Sequence, residues 1–134
     1  MSTRTIVLDS EGLSSLARGG RVQSAMLAAV LKRHARVIVP AVILAETLTG
    51  KPVDAPVRAA LRHLTIIPIS EGIAARAGAL RTAAVPQRHK PRDLTVDALV
   101  VATAERLLPA TVITADPGDI ALLAGSIDIK PVTA

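Results

Sequence analysis

Two stretches decide the fold: Thr5-Ile6-Val7-Leu8-Asp9 near the start of the chain and Thr111-Val112-Ile113-Thr114-Ala115-Asp116 near its end. Each begins with a short β-branched run that lacks polar alternation, and each closes on an aspartate. A strand with one wet face alternates apolar and polar residues, whereas a continuous apolar run fits a strand covered on both faces, as in a parallel sheet under helices. Arg36-Val37-Ile38-Val39 and Thr65-Ile66-Ile67-Pro68-Ile69 read the same way. A fifth run, Asp128-Ile129-Lys130-Pro131-Val132, belongs at a sheet edge because Pro131 has no N–H to give to a ladder.

Between the runs, spacing and end signals predict helices over residues 22–34, 41–49, 55–64, 71–85 and 95–108. Pro40 suits a first helical turn, Ser70 followed by Glu71 suits an N-cap, and Gly50 suits a C-cap. Strands alternating with helices make this an α/β chain with a mostly parallel central sheet and helices on both faces. Neither a repeat nor a Gly/Pro-rich linker divides it, so residues 1–134 form one domain.

Composition narrows the function. Half of the 134 residues are hydrophobic, which excludes global disorder, and 16 Lys and Arg against 11 Asp and Glu leave a net charge of +5, which favours a polyanionic partner. With no Phe, Trp or Tyr, any contact with nucleic acid lacks aromatic stacking platforms. The absence of cysteine removes disulfides, thiolate metal sites and a cysteine nucleophile, and suits a reducing cytoplasm. The longest apolar run, residues 37–45, is far shorter than the roughly 18–20 residues that cross a bilayer. A soluble protein with no membrane attachment is expected.

The carboxylates carry the chemistry. Asp9 follows the first strand and Asp116 the fourth, and in an open parallel sheet the carboxyl ends of the strands border the ligand crevice. Glu46 lies in Ala41-Val42-Ile43-Leu44-Ala45-Glu46, and Asp97 in Thr95-Val96-Asp97-Ala98-Leu99-Val100-Val101, both apolar helical contexts where an ionised group needs a cation. Four acids converging on one crevice repel one another, and their hard oxygens are what Mg²⁺ or Mn²⁺ prefers. Such an ion can activate water for attack on a phosphodiester, while basic side chains hold the backbone. Each strand-end acid has a second reading: Asp9 as the N-cap of a following helix, Asp116 as the start of a turn at Pro117-Gly118.

These residues together resemble a known family. Ile6-Val7-Leu8-Asp9, Ile43-Leu44-Ala45-Glu46, Val96-Asp97-Ala98-Leu99-Val100-Val101-Ala102-Thr103-Ala104 and Ile113-Thr114-Ala115-Asp116 look like the four acidic motifs of PIN-domain ribonucleases, and the small size resembles the VapC toxins of type II toxin–antitoxin modules. The resemblance implies an α/β/α sandwich, Mg²⁺- or Mn²⁺-dependent endonucleolytic cleavage of RNA, a homodimer, and a cognate antitoxin protein as partner. Carried over by position, Asp9, Glu46, Asp97 and Asp116 become the catalytic acids, with Asp9, Asp97 and Asp116 on the metal. Thr114 matches the family's small hydroxyl residue, and Asp119 matches a further acid placed behind the ligands. Asp93 either shares the helix face of Asp97 or caps that helix. Glu11, where the family often has a small or amide residue, adds charge at the rim.

The loop Pro86-Gln87-Arg88-His89-Lys90-Pro91-Arg92 reads as exposed and basic, and makes Arg88, Lys90 and Arg92 candidate RNA contacts. His34, His63 and His89 share no metal-ligand spacing, and neither a G-x-S-x-G elbow nor a P-loop is present. Glu11 occupies the place where a haloacid-dehalogenase-like phosphatase needs its second Asp, and residues 65–70 lack the acceptor Asp of a receiver domain. The remaining rival is a catalytically inactive PIN-like module that binds RNA or protein without cutting. Ala- and Leu-rich helix faces beyond what one small sandwich can cover also point to a homodimer.

Overall fold

A computed structural model describes residues 4–21, 24, 25, 28, 32, 36–87 and 93–134. The strands are β1 (Thr5–Leu8), β2 (Val37–Pro40), β3 (Thr65–Ile67), β4 (Ala110–Thr114) and β5 (Ile129–Thr133). All neighbours pair in parallel, in the order β3-β2-β1-β4-β5. The five expected runs therefore form one sheet, and the proline-bearing β5 lies at an edge. Val7, Leu8, Ile38, Val39 and Val112 are fully buried, the burial that a doubly covered run requires. Strand β3 departs from that expectation: it is the other edge strand, and Thr65 and Ile66 are exposed.

The helices are α1 (Ser10–Arg18), α2 (Ala41–Thr47), α3 (Ala55–Leu61), α4 (Glu71–Ala84), α5 (Thr95–Glu105) and α6 (Pro117–Ala124). One layer is formed by α1 with α2 and α3, and the other by α4, α5 and α6, which gives the α/β/α sandwich. Helix α5 is the keystone of the second layer. Ala98, Val100, Val101, Ala102 and Ala104 are all buried in it, so it is apolar on every side and packs between the sheet and its neighbours.

Two helices lie outside the sequence expectation. The segment Ser10-Glu11-Gly12-Leu13-Ser14-Ser15 has weak intrinsic helical propensity, but Asp9 caps it: the Asp9 Oδ1 accepts the Gly12 N–H at 2.8 Å. The turn reading at Asp116 also gives way to a helix, because Pro117 stands in the first turn of α6, where its missing N–H costs nothing. Pro40 ends β2 and precedes α2 rather than lying inside the helix, and the C-cap of α2 is Leu48 rather than Gly50. Ser70 caps α4 as expected, its Oγ accepting the Ile73 N–H at 3.1 Å. The expected helix over residues 22–34 falls mainly outside the described residues.

The register fixes where the acids go. Thr5 pairs with Ala110 and Leu8 with Ile113, so β1 and β4 run in step and end at the same edge of the sheet. The chain leaves β1 toward β2 on one side and passes from β4 to β5 on the other. The gap between β1 and β4 is thus the switch point of the topology, the place where open α/β sheets form their crevice. Helix α1 closes tightly over this pair. A Cβ built on Gly12 would lie 2.6 Å from the Ile113 carbonyl oxygen, so only glycine allows the approach.

Candidate metal centre

At the carboxyl ends of β1 and β4 lies a crevice of about 360 Å³, lined by Asp9, Ser10, Glu11, Glu46, Asp93, Val96, Asp97, Ala115 and Asp116. Asp9 arrives at the end of β1, Glu46 on α2, Asp97 in the first turn of α5, and Asp116 immediately before α6. The four acids separated by more than a hundred residues of chain thus line one crevice.

Within it the carboxylates are not equivalent. Oxygen atoms of Asp97, Asp116 and Asp119 all lie within 4.8 Å of one another, close enough for one ion to touch all three. Asp119 joins this group because α6 begins at Pro117, which puts residue 119 in the first turn beside Asp116. Asp9 and Glu46 stand on the walls of the same crevice. Glu46 is exposed, however, so its apolar sequence neighbours do not bury it as expected: that helix turns Ile43 inward and leaves Ala45 and Glu46 outside. Asp97 is buried, 7% exposed, and its Oδ2 atom is screened from solvent.

Asp9 is equally buried, and that burial pushes its carboxyl above the ordinary carboxylate value, against hydrogen bonds from the Thr114 hydroxyl and the backbone N–H groups of Gly12, Ala115 and Glu11. Thr114, fully buried, also accepts the Asp116 N–H at 2.9 Å. One hydroxyl therefore ties the acid that ends β1 to the backbone of the acid that follows β4. Asp9 caps α1 with one oxygen and also lines the crevice.

Asp93 also lines the crevice and bonds at the start of α5: its Oδ1 accepts the Thr95 N–H at 2.9 Å and the Thr95 hydroxyl at 2.6 Å. Those Thr95 donors, with a smaller contribution from the charge of Arg81, hold its carboxyl below the ordinary value. Glu11 stands on the rim, where its Oε1 is 3.1 Å from an Arg18 guanidinium nitrogen. Arg88, Lys90 and Arg92 lie outside the described residues, as do His34 and His89.

Sequence reading passed over Asp54, which is not part of the crevice. Its buried carboxylate gathers the Thr49 N–H and hydroxyl and the Gly50 N–H at 2.8–3.0 Å, closing the turn that follows the Glu46 helix. The signal for it is the Thr49-Gly50 pair ahead of Pro52, a turn that needs an acceptor for its exposed N–H groups.

The donor set fits a divalent metal ion. It is all oxygen, it is anionic, its three closest members come from two helices whose ends are packed together, and it is half enclosed. Neutral or monovalent occupants would leave most of the mutual repulsion in place.

An all-parallel five-stranded α/β/α sandwich thus carries an acidic crevice at its switch point, where open α/β sheets bind their ligands. Residues 6–124 match the PIN domain family, and the chain belongs to that family. Solved structures agree in fold. VapBC2 from Rickettsia felis, bound to a DNA fragment from its promoter, has a chain 15% identical with a TM-score of 0.69, the match covering 97% of this chain and 98% of that one. FitAcB from Neisseria gonorrhoeae is 22% identical with a TM-score of 0.64, covering 94% and 95%. A toxin–antitoxin complex from Klebsiella pneumoniae is 27% identical with a TM-score of 0.64, covering 92% and 94%. No curated protein matches the chain. Among the described residues, no helix is long and apolar enough to cross a membrane.

Proposed function

We propose that the chain is a Mg²⁺- or Mn²⁺-dependent endoribonuclease acting as the toxin of a toxin–antitoxin pair. The observation that carries this is the approach of Asp97, Asp116 and Asp119 to within 4.8 Å in the crevice of a PIN domain. These three residues would hold the ion, with Asp9 and Glu46 beside it. A divalent cation held there would supply Lewis acidity toward a water and toward the negative charge on the phosphate oxygens.

The chain's own residues do the rest. Asp9 is fixed by donors from Thr114 and Gly12, which hold its carboxylate in one orientation at the wall of the crevice. Thr114 keeps Asp9 and the Asp116 backbone in one arrangement. Cationic side chains hold the RNA backbone, in keeping with the net charge of +5. An antitoxin partner is supported by the likeness to toxin–antitoxin complexes, and a homodimer by the VapC-like size. Among the described residues, the exposed large apolar side chains, Val53, Ile66, Val85 and Leu108, are scattered outside the α-helices and do not form the apolar helix faces the sequence suggested. A cytoplasmic location suits a cysteine-free chain with these partners.

The test is cleavage of a structured RNA panel by purified protein with Mg²⁺, with Mn²⁺ and with EDTA, followed by sequencing of the new 5′ ends. Metal-dependent cuts at a defined sequence, lost in Asp97→Asn, are expected. RNA binding with no cutting at any metal concentration would replace the enzyme with a binding module.

A further inference from the structure

A strongly acidic crevice repels the phosphodiester it has to receive, so the substrate needs cations beside the acids. Two of the acids that line the crevice are linked to arginines, Glu11 directly and Asp93 through a threonine hydroxyl. Glu11 lies 3.1 Å from the guanidinium of Arg18, which reaches back from the last turn of α1 toward the N-terminal end of its own helix. Asp93 accepts the Thr95 hydroxyl, and that hydroxyl in turn receives Arg81 Nη1 at 2.7 Å. Arg18 belongs to one helix layer and Arg81 to the other, so they approach the crevice from the two sides of the sheet. Both are exposed, and the Arg18 side chain keeps 64% of its surface open although it is paired. Each guanidinium thus has donors left for an incoming phosphate.

We propose that Arg18 and Arg81 are the residues that clamp the RNA backbone on either side of the bond to be cut, Arg18 aimed by Glu11 and Arg81 by Asp93 through the Thr95 hydroxyl. The inference rests on the ribonuclease reading and names how that site takes its substrate. Glu11 and Asp93 then have a positioning role. They do not act on the phosphorus; they hold a flexible arginine at the edge of the acidic ground so that little side-chain freedom remains to be lost when a strand arrives.

The experiment uses the full chain in EDTA, where no cutting occurs, and a fluorescein-labelled single-stranded oligoribonucleotide of mixed sequence. Anisotropy is followed over a salt series for wild type, Arg18→Gln, Arg81→Gln, the double variant, and Lys130→Gln, which removes the same charge from the edge strand β5. Each arginine variant should bind about tenfold more weakly. Each should also lower the slope of log K against log salt by about 0.7, the share of one phosphate contact on a single strand, and the double variant by about 1.4. Lys130→Gln should leave the slope alone. Arg18→Lys and Arg81→Lys should restore most of it, an outcome that a merely structural role for Arg81 at the start of α5 would not produce. With metal added, the loss should fall on KM more than on kcat.

Wild-type slopes retained in both glutamine variants would overturn the proposal while wild-type cleavage left the enzyme reading standing. Slopes that fall as expected in a protein that never cuts would uphold the clamp and defeat the enzyme reading. A wild-type chain that neither binds nor cuts would overturn both.

Discussion

Replacing Asp97 by Asn should make the metal-free protein more stable and the metal-loaded protein inert. Asp97 lies within 4.8 Å of the carboxylates of Asp116 and Asp119. At that separation each pair of negative charges costs about 0.9 kcal/mol if the crevice behaves like bulk water, and about 3.5 kcal/mol at an effective dielectric near 20. Two pairs disappear with one substitution. The crevice is half open, so the lower figure governs, and the lost hydrogen bonding of a carboxylate offsets part of the gain. A net stabilisation of about 1–2 kcal/mol follows, or roughly 3–8 °C in Tm for a domain of this size.

The assay is thermal unfolding with and without Mg²⁺. Wild type should gain stability steeply as Mg²⁺ is added, because the ion binds the folded state alone. Asp97→Asn should start higher and gain much less, so that the two curves cross. Cleavage should be lost in the variant at every metal concentration. A variant that melts lower than wild type without metal, or that gains as much as wild type from Mg²⁺, would refute the shared-ion reasoning, because the three acids would then not be held together against their own repulsion.

Other substitutions test the frame around the site. Gly12→Ala places a Cβ 2.6 Å from the Ile113 backbone oxygen, and because a central strand cannot give way, a loss of about 1–3 kcal/mol in chemical denaturation is expected. Thr114→Val keeps the shape but leaves the Asp116 N–H without its acceptor and Asp9 without its donor, at a cost of about 1–3 kcal/mol; the Asp9 carboxyl should then titrate still higher by NMR. Glu105 takes a two-pronged contact from Arg76, at 2.7 and 3.0 Å, which joins α4 to α5 and lowers the Glu105 carboxyl from its ordinary 4.5. A depressed folded value means that this contribution is present above the ordinary value and lost as pH falls through the folded one. The Tm difference between wild type and Glu105→Gln should therefore shrink on acidification below about pH 4.5.

Strands and the crevice acids were legible in the chain for one reason. A parallel sheet buried on both faces writes itself as unbroken β-branched runs, and an acid placed at the end of such a run, or inside an otherwise apolar helix, stands out against it. Leu8-Asp9 and Val96-Asp97 are cases of each. Helix α1 was hidden because Ser10 and Gly12 open it with poor helix formers and the Asp9 cap secures its start, and α6 because Pro117-Gly118 reads as a turn. The place of Asp119 was hidden with α6, since its approach to Asp97 and Asp116 depends on where that helix starts. The Arg18–Glu11 and Arg81–Thr95 contacts are side-chain geometry across a helix and between helices, which no linear pattern specifies.

The pairing of residues 5–8 with residues 110–113 has a bearing on when the molecule becomes active. The middle of the sheet joins two strands separated by nearly the whole polypeptide, and contacts that distant close late. During synthesis the first β-run must wait for its central neighbour, with only the β2 side to lean on, until residues 110–114 have left the ribosome. Until then Asp9 and Glu46 have no Asp97 or Asp116 to face. A nascent chain that has not yet exposed residues 110–119 therefore lacks the acid cluster, and the crevice is complete only once β4 and the start of α6 have joined the sheet.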